Sequence, residues 1–369
     1  MPKIKRVRFD LYRAVIMLKK NYDRQRRQAT EKIEALEAIP VDDWSPNQRR
    51  SHLLWKTHQQ ELREAEEAAN SPWVLQDVIN AAIDGSIPDT IMDYQGEKIE
   101  IDRNACYQKE KTPWLTSFQI SRLRADSLPA KKKIGMPRDD IHLEDDEYIG
   151  EFTEVILDSR YNIIIIQANR YGVGVGVVCK YLNYLQKKYD ELNGIETAKY
   201  VIGALQPIID EELTRKAFES EYIHKIRIRC SDENVEAFIS DDNESLGSVA
   251  RLIGEQTGIV LDVTLSVKGR EHSRTLKTED IRRAGQEYVR FINDPNTPDG
   301  SKKDARMEFT IWNETESIAE SVDLMIPKVN FIIPLSVEER QPIGSEYLYD
   351  LTAEEYNKLT SRITALIGG

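Results

Sequence analysis

Two sets of basic residues have the spacing that a polyanion requires. Arg122 and Arg124 sit two apart near the end of an expected strand, and Lys131, Lys132, Lys133 and Arg138 follow in the adjoining segment. Lys225, Arg227 and Arg229 recur at every second residue of another expected strand. Side chains at i and i+2 of a strand share a face, so Arg122 with Arg124, and Lys225 with Arg227 and Arg229, each present a row of cations, to which the lysines and Arg138 add a basic loop. Such rows hold phosphate oxygens without reading base sequence. Such a face suits a phosphate backbone such as that of double-stranded DNA, with Arg170 as a further contact. The alternative is that both rows pair with Asp and Glu on neighbouring strands. The lysines of 131–133 argue against it, because no acid follows them before Asp139.

Other chemistry has weaker patterns. Gly172-Val-Gly174-Val-Gly176 leads into an expected helix, but its spacing departs from the G-x-G-x-x-G of dinucleotide sites. A Gly-rich turn is the simpler reading. The five histidines, His52, His58, His142, His224 and His272, show no zinc spacing, and no P-loop or G-x-S-x-G elbow is present. Glu144-Asp-Asp-Glu147 with Glu151 is the one acidic run that a divalent cation could use, so a metal-dependent nuclease is the alternative function. Consecutive carboxylates in a strand point to opposite faces, so the expectation is a non-enzymatic protein without metal or cofactor.

The chain has 369 residues and a formal charge of −12. That charge excludes a bulk polycation but not a local basic face. Through Arg138 there are 25 Lys and Arg against 20 Asp and Glu; the remainder holds 26 against 43. A basic front third on an acidic protein implies one face for a polyanion and others that stay solvated. Three cysteines without C-x-x-C spacing suit a reducing, cytoplasmic compartment. Apolar runs of a few residues, such as Ile163–Ile166, are too short to span a membrane.

The elements that must carry these residues follow from periodicity. Lys5–Val15 alternates as a half-buried strand. Lys19–Ile39 and Pro46–Ala69 read as a charged helical hairpin broken at Pro40–Pro46. Asn70-Ser71-Pro72 is expected to start a helix that Gly85 stops. Strands are expected at Glu97–Asp102 and Leu115–Leu123, then a loop over Ser127–Asp140 and a hairpin of Tyr148–Asp158 with Tyr161–Gln167. Helices follow at Val173–Tyr189, Glu211–Glu219, Leu246–Glu255, Thr278–Ile292 and Leu351–Ile367, the last capped by Thr352. Between them lie strands at Lys199–Ile209, Tyr222–Cys230, Ile259–Val267, Met307–Trp312 and Val322–Pro334, and a loop at Asp294–Lys303. Mixed order without strict βαβ alternation gives an α+β fold of mixed or antiparallel sheets. Val329–Leu335 is too apolar for a bare edge, so it should be covered, by the C-terminal helix or by a second copy.

Asp146-Glu-Tyr-Ile-Gly-Glu151 followed by Gln167-Ala-Asn-Arg-Tyr-Gly-Val173 resembles a family of bacterial proteins found in phage-defence settings. From Leu115 to Ile367 the order of elements is similar to that of the phage lambda exclusion protein RexA and, more loosely, the Kiwa component KwaB. The hairpin of residues 19–69 has no counterpart there. The resemblance implies DNA binding, homodimerisation and a sensing or effector role in abortive infection. It also implies a division into an N-terminal region, 1–110, and a RexA-like α+β region, 111–369. A third reading is a protein-only partner that uses the 19–69 hairpin to dock another defence subunit.

Overall fold

The computed structural model describes residues 3–126, 128–144, 147–195, 199–231, 260–267, 275–276, 278–293, 306–313, 318–324, 328–337 and 343–367. The first half holds β1 (Lys3–Leu18), α1 (Tyr22–Glu37), α2 (Pro46–Ala68), α3 (Gln76–Ile83), β2 (Met92–Tyr94), β3 (Glu97–Tyr107) and β4 (Leu115–Arg124). Next come β5 (Ala130–Lys132), β6 (Arg138–Asp140), β7 (Ile149–Asp158), β8 (Ile163–Gln167), α4 (Val175–Asn193) and β9 (Val201–Pro207). The remainder is α5 (Glu211–Glu219), β10 (Ile223–Ser231), β11 (Val260–Ser266), α6 (Thr278–Asn293), β12 (Arg306–Asn313), β13 (Ile318–Asp323), β14 (Asn330–Val337) and α7 (Ser345–Ile367). The fold is α+β, with every strand pair among the described residues antiparallel. The expected helix at Leu246–Glu255 and the loop at Asp294–Lys303 lie outside the described residues.

The chain forms two compact units, Met1–Ile208 with Asn330–Gly369, and Ile209–Val329. The expected junction at 110/111 falls instead in the short link between β3 and β4, two strands paired along most of their length. No boundary can sit where the ladder is continuous.

The first unit is built on a sheet in the order β14-β1-β8-β7-β4-β3-β2. β1 is its longest strand, next to the edge formed by β14 and β9. Phe9 pairs with Phe331 of β14 on one side and Gln167 of β8 on the other, and Tyr12 pairs with Pro207 of β9 and Ile164 of β8. β14 and β9 therefore follow one another along the same side of β1. One face of the sheet packs Phe118, Ile120, Val155, Leu157, Ile164 and Ile166 with α3 and α4, whose Val78, Ile79, Tyr181, Leu182 and Leu185 are buried. The other face meets α7, whose Tyr349, Tyr356 and Ile363 are buried. Tyr356 donates to the Asp158 carboxylate at 2.9 Å, and Asp158 also holds Arg160 at 2.7 Å. α7 covers β14 from the same chain, so the apolar edge needs no second copy; the exposed Pro334 also removes an N–H from that edge.

Four local expectations shift. α3 begins at Gln76, not at Pro72, because Asn70–Trp73 runs extended along β1: Ser71 accepts from the Ile16 amide and Trp73 donates to Ala14. Pro72 favours that extension in the residue before it. α7 starts at Ser345, and Thr352, the expected cap, is buried inside it with its hydroxyl donating back to Leu348 at 2.7 Å. The expected strand Val322–Pro334 is two strands in different units, β13 and β14. Finally, the expected loop at Ser127–Asp140 contains the β5–β6 hairpin, whose turn uses Gly135 at φ 79°.

A buried acid lies inside the first unit. Glu154 of β7 is opposite Gln119 of β4, and its carboxylate accepts from Gln119 at 2.9 Å and from the Ser117 hydroxyl. Burial pushes this carboxyl up to about 7, against those two hydrogen bonds.

The second unit carries a four-stranded sheet, β11-β10-β12-β13. Ile226, Ile228, Met307, Phe309 and Ile311 pack with Leu213 and Ala217 of α5 and Ile281 and Tyr288 of α6. A register shift between Ile223 and Lys225 explains why the alternation of β10 is imperfect in the sequence.

Candidate nucleic-acid interface

β4 ends at Arg124 and β7 begins at Ile149, paired with each other; the β5–β6 hairpin is inserted between them. The link from β8 to α4 lies at the same end of the sheet, because β8 finishes opposite Glu154 and the chain then continues past the start of β7. The Ala168 amide donates to Arg8 of β1 at 2.8 Å, which brings the first residues of β1 to this end as well. One rim of the sheet thus collects Lys5, Arg6 and Arg8, Lys98, Arg122 and Arg124, the hairpin and Arg170.

Several of these cations are already neutralised. Arg122 bonds to Glu97, and Arg124 lies 3.4 Å from Glu151. Arg138 binds Asp140 at 2.5 Å, and Arg8 binds Asp10 at 2.7 Å. For these residues the cross-strand pairing alternative is what the geometry shows. Lys98 lies over the Tyr148 ring at 5.6 Å. Lys131, Lys132 and Lys133 have no acidic partner among the described residues, and neither do Arg170, Lys5 and Arg6. Lys131 is opposite Asp139 in the ladder, without an ion pair.

The hairpin is exposed along both strands and pairs with no other strand among the described residues. Its tip is apolar, with Ile134 fully exposed and Met136 largely so. Three ammonium groups therefore stand away from the sheet and its acids.

Arg170 and Tyr171 are exposed in the turn before α4, where Asn169 accepts from the Tyr171 amide and donates to Phe152 at 2.6 Å. Gly172 is required here: a Cβ would collide with Thr153 and the Phe152 carbonyl. Of the three glycines only Gly172 is held by close packing; a Cβ at Gly174 or Gly176 would meet open space.

Lys225, Arg227 and Arg229 belong to the second unit. Their expected row exists, on the face opposite Ile226 and Ile228, but neighbouring strands supply acids in register. Arg227 forms two hydrogen bonds to Asp262 of β11, at 2.9 and 2.6 Å, and stands opposite Glu308 of β12. The guanidinium holds the Asp262 carboxyl below its usual range. Arg229 is the register partner of Asp262 without an ion pair and stands opposite Arg306 of β12, and Lys225 stands opposite Ser266 and Thr310.

The acidic run splits up. Glu147 accepts from the Glu144 amide at 3.0 Å, while Glu151 serves Arg124; Asp145 and Asp146 lie outside the described residues. Among the described residues no three His, Cys, Asp or Glu side chains gather to hold a metal ion. No helix of the described residues is long and apolar enough to cross a membrane.

Lys5 and Arg6 were the residues hidden from sequence reasoning. The run Lys3-Ile-Lys5-Arg6-Val-Arg8 carried the signal, but only strand order places it beside the other cations.

Residues 54–362 match a protein family described as a family of unknown function (DUF6731). No curated protein matches the chain.

Proposed function

The chain belongs to the DUF6731 family of unknown function, and for this member we propose non-specific binding of duplex DNA through the basic rim of the first unit. One observation carries the reading: Lys131, Lys132 and Lys133 project on a hairpin with no acidic partner among the described residues, beside Arg170, Lys5 and Arg6. Unpaired ammonium groups in a row release counterions from a phosphate backbone. The apolar tip supports the same ligand, since minor-groove arms seat Ile, Met and Pro side chains between base steps. Arg122, Arg124 and Arg138 stiffen the rim through their own acids and take a lesser share. The row on β10 takes a lesser share, because Asp262 holds its middle residue, Arg227.

The role is binding rather than catalysis. A sensor or effector of abortive infection, cytoplasmic and homodimeric, is the setting that the resemblance to RexA-like proteins supports. A second copy would double the phosphate contacts.

Fluorescence anisotropy with a random-sequence duplex, titrated with salt in the presence and absence of Mg²⁺, tests the reading. The expected log–log slope is about −0.9 per phosphate neutralised, with sequence having little effect. Binding that ignores salt overturns it. Strand cleavage that needs Mg²⁺ and disappears in Glu147→Gln or Glu151→Gln replaces it with a nuclease. Light scattering should give twice the 42.5 kDa chain mass.

A further inference from the structure

A groove of about 670 Å³, open to solvent, lies between α1, α2 and the residues that follow β1 and precede β9. It is at the other end of the sheet from the basic rim: Lys19 follows the last residue of β1 and Lys5 is near the first, roughly 45 Å apart at strand rise.

Its walls differ in chemistry. On one side Asn21, Gln25 and Gln28 line the groove at the i, i+4, i+7 spacing of a single helix face. Their side-chain amides make no hydrogen bond among the described residues. Three unused amides in a row are a poor way to close a helical hairpin, but they suit a ligand with donors and acceptors along an edge. On the other side stand Trp55 and His58 of α2. The His58 ring is wedged between Trp55 and Tyr200, with centroids at 5.5 and 5.3 Å and edge-on geometry to both. The Tyr200 hydroxyl lies 3.0 Å from His58 Nδ1, which fixes the ring, and Trp55 is partly buried at the groove.

Two lysines also line the groove. Lys19 donates to the Lys199 carbonyl at 2.7 Å and keeps two further N–H groups. Lys199 lies 5.2 Å from the Tyr200 ring centroid and 3.4 Å from Glu61, which offsets one of the two charges.

We propose that this groove binds a nucleoside phosphate, with the base against Trp55, its edge on the α1 amides and its phosphate at Lys19 and Lys199. An apolar ligand would leave the amides unsatisfied, and a neutral sugar would not call for the paired ammonium groups. The volume is that of ordinary small-molecule sites. The site would make the helical hairpin a ligand-reading element, independent of the DNA-binding reading.

Isothermal titration calorimetry with ATP, GTP, CTP, UTP and AMP, and separately with inorganic phosphate, tests it on the full chain. At least one nucleotide should bind saturably, one per chain, and more tightly than inorganic phosphate. Gln25→Ala combined with Gln28→Ala, and separately Lys19→Gln, should each weaken it about tenfold, or 1.4 kcal/mol. Gln25 and Gln28 are solvent-facing, so an unchanged circular dichroism melt is expected and separates lost binding from lost folding. Absence of saturable binding for all five nucleotides up to about 1 mM overturns the proposal. So does binding that both variants leave unchanged, or inorganic phosphate binding as tightly as the nucleotide.

Discussion

The two sheets carry the same basic pattern and use it differently. In the second unit the cations of β10 lie between strands that bring Asp262 and Glu308 into register, so Arg227 is consumed by an acid 35 residues away. In the first unit the lysines of 131–133 sit on a hairpin apart from the main sheet, and the acid opposite Lys131 in its ladder, Asp139, forms no ion pair with it. An evenly spaced row of cations is therefore not a binding site by itself. Whether a neighbouring acid closes an ion pair, opposite or diagonal in the ladder, decides whether the charge stays available. Acids show the same contrast. Asp262 faces a guanidinium and is held low, whereas Glu154 faces Ser117 and Gln119 and is pushed up to about 7 by burial.

The largest test removes the hairpin charges. Lys131→Gln, Lys132→Gln and Lys133→Gln together should cut duplex affinity about 100-fold near 0.1 M salt and flatten the salt slope by about 2.7. An equal loss from Lys225→Gln with Arg229→Gln would erase the contrast between the units.

Glu154 gives the next effect. Its folded carboxyl titrates near 7 and its unfolded one near the ordinary value, so between the two the folded state holds the extra proton. Its contribution is most favourable below the unfolded value and is lost as pH rises toward 7. Denaturant melts of the native chain should therefore lose stability relative to Glu154→Gln between pH 5 and 8, by on the order of 3 kcal/mol. Parallel curves would mean that Glu154 stays charged.

The smallest test concerns the silent row. Asp262→Asn frees Arg227 and should raise duplex affinity about threefold at low salt. No rise would show that something other than Asp262 keeps this face out of use.

Local periodicity in the sequence determined the element types, the α+β class and the positions of most strands and helices. The hairpin of α1 and α2, the pair β7 and β8, and α5 all follow from apolar spacing and breakers. These signals are local, and burial of one face enforces them. The β5–β6 hairpin escaped because its three-residue strands are solvated on both faces and leave no alternation to read. The cap at Thr352 misled because capping chemistry and mid-helix back-bonding use the same hydroxyl. Only the tertiary structure decided which cations remain free. Arg122 meets Glu97 across 25 residues and Arg227 meets Asp262 across 35, through strand register that no local pattern encodes. The same is true of the gathering of Lys5, Arg6 and Arg170 beside the hairpin: strands distant in the chain become neighbours because burying their apolar faces in one sheet requires it.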